Sequence, residues 1–147
     1  TIAKILKKKI FKLYGSTVLI NGDDIRKIFN YNNYSKEGRE ELDVPYLKIA
    51  HFIFKQKVNV ILCSVSISDK NRNLFRDKFK FKSIHIITNE NSRRLFKKTL
   101  YKKNKNLPGI DQTIKNPKEV DIFATNNSKK DIEKLANTLW QELLIKL

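Results

Sequence analysis

A carboxylate three residues beyond a short β-branched run is the first feature with chemical potential. Residues 17–20, Thr-Val-Leu-Ile, lead into Asn21-Gly22-Asp23, and Arg26 follows three positions later. A carboxylate there can accept a proton or organise the water around a cation, and a guanidinium fork can hold an anion. The same spacing suits a turn in which an Asx residue caps the following helix, the commoner use of such residues. A second apolar run, 58–63, ends in Cys63-Ser64-Val65-Ser66. Arg39 stands out because only six of the 31 basic residues are arginines. His51, His85 and Cys63 show no metal-ligand spacing, and packing is the expected role of all three. The four glycines, Gly15, Gly22, Gly38 and Gly109, include no pair spaced as in a glycine-rich phosphate cradle.

These residues must be positioned by the surrounding elements. Ile2, Ile5, Leu6, Ile10 and Leu13 form a helical stripe over 2–13, stopped by Gly15. Strands are expected at 17–20, 58–63, 82–87 and 120–123. Helices are expected at 24–29, over a stretch ending near 55, and at 69–79, 89–99 and 128–146. The 100–117 stretch is rich in Lys and Asn, contains Pro108-Gly109, and is too polar for core. Regular alternation implies a parallel sheet flanked by helices, because parallel strands need long crossovers. Ligands in such sheets bind beyond the carboxyl ends of the strands. That rule selects Asn21-Gly22-Asp23, Cys63-Ser64-Val65-Ser66, Thr88-Asn89 and Thr125-Asn126, all expected at one edge. An opening helix in a parallel sheet further predicts that the helix follows a phosphate-binding loop.

Composition bounds the class. A chain of 147 residues that is 40% apolar reads as one folded domain over 1–147. No apolar run approaches the ~18 residues of a membrane span, and no signal-peptide pattern opens the chain. With a single cysteine, the expectation is a soluble, cytoplasmic protein without a membrane partner. The net charge of +16 can mark a nucleic-acid partner. However, no RNP motif or zinc-finger spacing accompanies it, and solvated lysines encoded by AT-rich DNA explain it more simply. Nucleic acid is therefore not the expected partner. The non-enzyme alternative is a basic module using the 97–105 region, with affinity falling steeply in salt.

Several ordered motifs resemble those of adenylyl-sulfate kinases (APS kinases), P-loop kinases that phosphorylate the 3′-hydroxyl of adenylyl sulfate. Thr1-Ile2-Ala3-Lys4 is similar to the residues just after the family's Walker A loop. Asn21-Gly22-Asp23-Asp24-Ile25-Arg26 resembles Asp-Gly-Asp-x-x-Arg, and Tyr34-Ser35-Lys36-Glu37-Gly38-Arg39 resembles Phe-Ser-x-x-Asp-Arg. Ser64-Val65-Ser66 falls at Leu-Ile-Ser-Pro. Leu100-Tyr101-Lys102-Lys103, Gly109-Ile110-Asp111 and Asn116-Pro117 match Leu-Tyr-Lys-Lys, Gly-Ile-Asp and Asn-Pro-Glu.

The resemblance implies a three-layer P-loop kinase fold with a mainly parallel sheet and a basic lid over about 97–117. It also implies ATP and Mg²⁺ as cofactors, a place in sulfate assimilation, and catalytic roles for Asp23 and Ser66. No base adjoins Ser66 in the sequence, so contacts to substrate are its more natural role. Arg26, Arg39 and Lys102 would hold charge, and Tyr34 and Leu107 would flank the base. Val65, Gly109 and Ile110 would complete the substrate site, with Arg93 and Arg94 near the lid. A homodimer is compatible with the sequence.

The first strand and the P-loop are not found within these residues, so either upstream residues or an inactive product is expected. Several positions depart from the family. Asn21 replaces an Asp, Gly38 replaces the Asp before Arg39, Leu42 replaces a substrate-binding Asn, Val44-Pro45 replaces Arg-Arg, and Ile67 replaces a Pro. The lid is also several residues shorter. These departures raise a kinase for another nucleotide derivative as the alternative.

Overall fold

The computed structural model describes residues 1–65, 67–88, 116–128 and 130–146. They form two compact units, Thr1–Lys80 and Phe81–Leu147. The expected helix at 89–99 and most of the lid lie outside the described residues.

In the first unit, α1 (Ile2–Tyr14) buries Ile2 and Leu6 against the strands and carries Lys12 in its last turn. A cation there complements the helix dipole. Gly15 ends α1 at φ 84°, a left-handed conformation that glycine tolerates, with its N–H bonded to Phe11 O. β1 (Thr17–Asn21) then pairs in parallel with β2 (Asn59–Cys63), in a register that sets Asn21 opposite Cys63. The two strands therefore end level. The residues that follow them, 22–23 at the start of a helix and 64–65 in a bend, lie at one edge, as the strand-end rule requires.

Helix α2 (Gly22–Ile28) starts two residues earlier than its apolar pattern indicated, with Asn21 as N-cap and Asp23 and Asp24 in its first turn. Helix α3 (Lys36–Lys55) is capped by Ser35, whose Oγ accepts from Gly38 N at 3.1 Å. Removing a serine cap costs about 0.5–2 kcal/mol. Ser35→Ala is therefore expected to lower the urea-unfolding free energy by about 1 kcal/mol, and an unchanged midpoint and slope would contradict this. Pro45 lies inside α3 and cannot donate to the carbonyl four residues back. The helix continues because Leu42 and Asp43 before it, and Tyr46 and Leu47 after it, are all buried. Helix α4 (Asp69–Arg76) is capped by Ser68 and packs on α3.

In the second unit, β3 (Ile84–Ile87) pairs in parallel with β4 (Ile122–Thr125), with Ile87 opposite Thr125. Asp121 fixes the start of this ladder by accepting from Ser83 N at 2.7 Å and Ser83 Oγ at 2.8 Å. Helix α5 (Ile132–Lys146) packs on β4, and its Ala136, Leu139, Trp140 and Leu143 are buried with Ile122. Both ladders are parallel, as the alternation predicts. Among the described residues they are separate two-stranded sheets rather than one continuous sheet.

Candidate functional site

The strand ends of the first unit hold the candidate chemistry. Arg26 follows Asp23 by three residues on α2, so the two share a face of that short helix. Past Phe29 the chain reverses, because Asn30 adopts φ 51°, a left-handed conformation that asparagine accepts more readily than most residues. Tyr31 N then bonds Arg26 O at 2.9 Å and Asn30 N bonds Lys27 O at 3.1 Å, the paired bonds of a Schellman ending.

This reversal folds residues 31–34 back over Arg26. The guanidinium carbon sits 5.5 Å from the Tyr31 ring centre and 4.8 Å from that of Tyr34. Arg26 Nη1 also donates to Asn33 O at 2.8 Å. The side chain is thus buried at 7% exposure, held by aromatic faces and a carbonyl, while the Tyr34 ring remains 45% exposed.

Arg39, on the first turns of α3, donates from Nη1 to Tyr34 O at 2.9 Å. Burial, and then the positive charge of Arg26, push its guanidinium below the usual range. Arg26 and Arg39 therefore converge on neighbouring carbonyls of one short segment and feel each other's charge. Gly38 is required here: a Cβ at 38 would meet Asn33 Cγ at 2.4 Å and Asn33 O at 2.7 Å. Tyr31 OH donates to Glu41, and this bond raises the phenol's affinity for its proton.

Asp43 is the most buried charge of the unit, at 1% exposure. Its Oδ2 accepts from Ser68 N at 2.7 Å and from Asn71 Nδ2 at 3.3 Å, so α3 anchors the turn that follows β2. Its Oδ1 has no hydrogen-bond partner among the described residues. Burial pushes the Asp43 carboxyl above the usual range, against the bonds from Ser68 and Asn71. The folded state therefore holds this proton more tightly than the unfolded chain does. Stability from this group is full below about pH 4, the ordinary Asp value, and is lost as pH rises through the folded value. Asp43→Asn lacks that loss and retains an oxygen for Ser68 N–H. Its unfolding free energy relative to the parent is expected to rise with pH from about 4 and then level off. Urea titrations at several pH values test this, and a pH-independent difference would contradict it.

Of the predicted site residues, Asp23, Arg26, Tyr34, Arg39 and Val65 lie in this unit, with Arg26 and Arg39 each in contact with Tyr34. Asp23 is exposed, and no hydrogen bond or ion pair reaches it among the described residues. Asp24, its neighbour, faces Lys27 at 3.9 Å. Val65 is exposed in the turn after β2. Ser66, Lys102, Leu107, Gly109 and Ile110, with Arg93 and Arg94, lie outside the described residues. Tyr31, Asn33, Asp43 and Tyr46 were not anticipated from sequence. Only Asn30, a residue suited to a left-handed helix end, signalled the reversal. His51 stacks on Phe79 at 4.7 Å and His85 lies beside Phe123 at 5.3 Å. Cys63 is a half-buried free thiol that burial pushes up.

Parallel ladders, a helical crossover between β1 and β2, and an acidic helix start beside two arginines at a strand edge define an α/β protein of the nucleotide-kinase class. The adenylylsulphate kinase family model matches residues 1–125, and the chain belongs to that family. Its fold is that of the P-loop kinases. The Mycobacterium tuberculosis APS kinase, in complex with AMPPNP and APS, superposes with a TM-score of 0.78 and 21% identity, covering 97% of this chain and 88% of that one. A cytidine diphosphoramidate kinase from Campylobacter jejuni subsp. jejuni serotype O:2 is 24% identical over 152 residues, covering 99% of this chain and 89% of the relative. The chain is accordingly a kinase-like phosphotransferase. No helix among the described residues is long and apolar enough to cross a membrane.

Proposed function

We propose that this chain binds an anionic nucleotide derivative and presents its sugar hydroxyl to ATP, adenylyl sulfate being the acceptor and its 3′-hydroxyl the group phosphorylated. The observation that carries this function is the buried Arg26 guanidinium, covered by two tyrosine rings three residues from an exposed carboxylate that has no partner among the described residues. Phosphoryl transfer needs positioning and charge neutralisation more than covalent help. Asp23 orients the acceptor hydroxyl and takes its proton. Arg26 and Arg39 hold the anion, and the exposed Tyr34 ring meets the base. Val65 lines the acceptor from the turn after β2. Ser66, Lys102, Leu107, Gly109 and Ile110 join the site by family resemblance.

Mg²⁺, when bound, neutralises phosphate charge. Asp23 fits such an ion through its water shell, being exposed and without a partner among the described residues, beside the Lys27-paired Asp24.

A kinase for a cytidine diphosphate derivative is the second reading. Leu42 is buried and Gly38 is filled by Asn33, so neither offers a polar group to an acceptor. The Campylobacter relative, by its name, acts on cytidine diphosphoramidate. A coupled assay with ATP and Mg²⁺ comparing adenylyl sulfate with cytidine and adenosine diphosphate derivatives separates the two. A higher kcat/KM for adenylyl sulfate supports the first reading; preference for a cytidine derivative replaces it with the second.

A further inference from the structure

Tyr46 lies on the inward face of α3 at 4% exposure, and no part of the phosphotransfer reading uses it. A buried tyrosine normally finds a partner for its hydroxyl. Here the Tyr46 hydroxyl donates at 3.0 Å to Gly22 O, across 24 residues of sequence. Gly22 opens α2, the helix that carries Asp23 and Arg26.

The fit around Gly22 is close. A Cβ at 22 would lie 3.2 Å from Cys63 O, 3.4 Å from the Tyr46 hydroxyl and 3.5 Å from its ring. The first turn of α2 is thus wedged between the end of β2 and the tip of Tyr46. The charges around this hydroxyl come from the same machinery. Burial raises the Tyr46 pKa most; Arg26 opposes that rise, while Asp23 and Asp43 add to it. The phenol therefore sits within electrostatic reach of both candidate groups of α2.

We infer that Tyr46 is a positioning residue, which sets through its hydrogen bond to Gly22 the place of Asp23 relative to the acceptor hydroxyl. This rests on Asp23 having the role proposed above. A small misplacement of a reacting group can cost about 10²-fold in rate while leaving binding almost intact. Arg26 also shares a side-chain hydrogen bond with Tyr46, but it is held independently by Asn33 and by the Tyr31 and Tyr34 rings, so losing the hydroxyl removes one of its several supports. Asp23 has no such second support. Loss of the hydroxyl should therefore appear in kcat and hardly in acceptor KM.

The experiment is a double-mutant cycle of Tyr46→Phe and Asp23→Asn in the full chain, with the acceptor varied and unfolding followed by circular dichroism. Tyr46→Phe is expected to lower kcat by about 10-fold to 10²-fold with acceptor KM within about threefold. In the Asp23→Asn background the same change should cost less than about twofold, since the group it positions is gone. A purely structural tyrosine would cost the same in both backgrounds, and that additive result would overturn the inference alone. Asp23→Asn with parental kcat would instead overturn the role of Asp23, and the inference with it. Should Tyr46→Phe unfold below the assay temperature, Gly22→Ala crowds the same contact from the other side. It is expected to give the same kcat-selective loss, and an unchanged kcat there would overturn the inference.

Discussion

Asp23→Asn is expected to lower kcat for phosphotransfer by about 10²-fold to 10⁴-fold, the usual weight of a positioned proton acceptor. The substitution keeps the shape of the side chain and removes only its charge and basicity. Asp23 is exposed, and no hydrogen bond or ion pair among the described residues depends on it, so the fold should be unaffected. Acceptor KM should stay within about threefold, because the lost interaction belongs to the transition state rather than to binding. Asp24→Asn is the matched control. Its carboxylate faces Lys27 at 3.9 Å on an open surface, where such pairs contribute little. Steady-state kinetics of both variants decide the matter: equal losses at 23 and 24 would remove Asp23 from the chemistry.

Arg26→Ala should act on binding instead, raising acceptor KM by about 10²-fold. Hydrogen bonds to a charged group are worth about 1.5–3 kcal/mol each, and a guanidinium can offer two to one anion. Part of the loss is indirect. Arg26 Nη1 holds Asn33 O, and its cation sits over the Tyr31 and Tyr34 rings, so the 31–34 segment loses its central support. Arg26→Lys separates the two contributions, since it restores the charge without the planar fork. It should recover only about tenfold of the lost affinity. Titrating the acceptor against each variant and against a nucleoside lacking phosphate measures this. A lysine variant equal to the parent would show that charge alone matters and that the layered geometry does not.

The strand-end rule and family resemblance selected Asp23, Arg26, Tyr34, Arg39 and Val65 among the described residues of the first unit. The Asn21–Cys63 register sets Asp23 and Val65 at one edge, and Arg26 and Arg39 meet at residues 33 and 34. Periodicity could not supply the rest. Asp43 and Tyr46 are buried on α3 beside Leu42, Leu47 and Ala50, and an apolar pattern does not say that a carboxylate and a phenol hydroxyl are carried inward with them. The cover over Arg26 depends on a left-handed Asn30 and on a glycine at 38, single residues whose effect shows only when the chain turns back.

Element types, their alternation and the order of the motifs were legible without coordinates, because they follow from local propensity and from residues close in the chain. Which polar groups are buried, what each guanidinium rests on and how Gly22 meets Tyr46 were decided by packing. Those contacts join residues far apart in the chain, such as Asp43 with Ser68, 25 positions away, and with Asn71, 28 positions away, and no local preference specifies them. They form only once the elements bury their apolar faces and the polar groups carried inward must find partners.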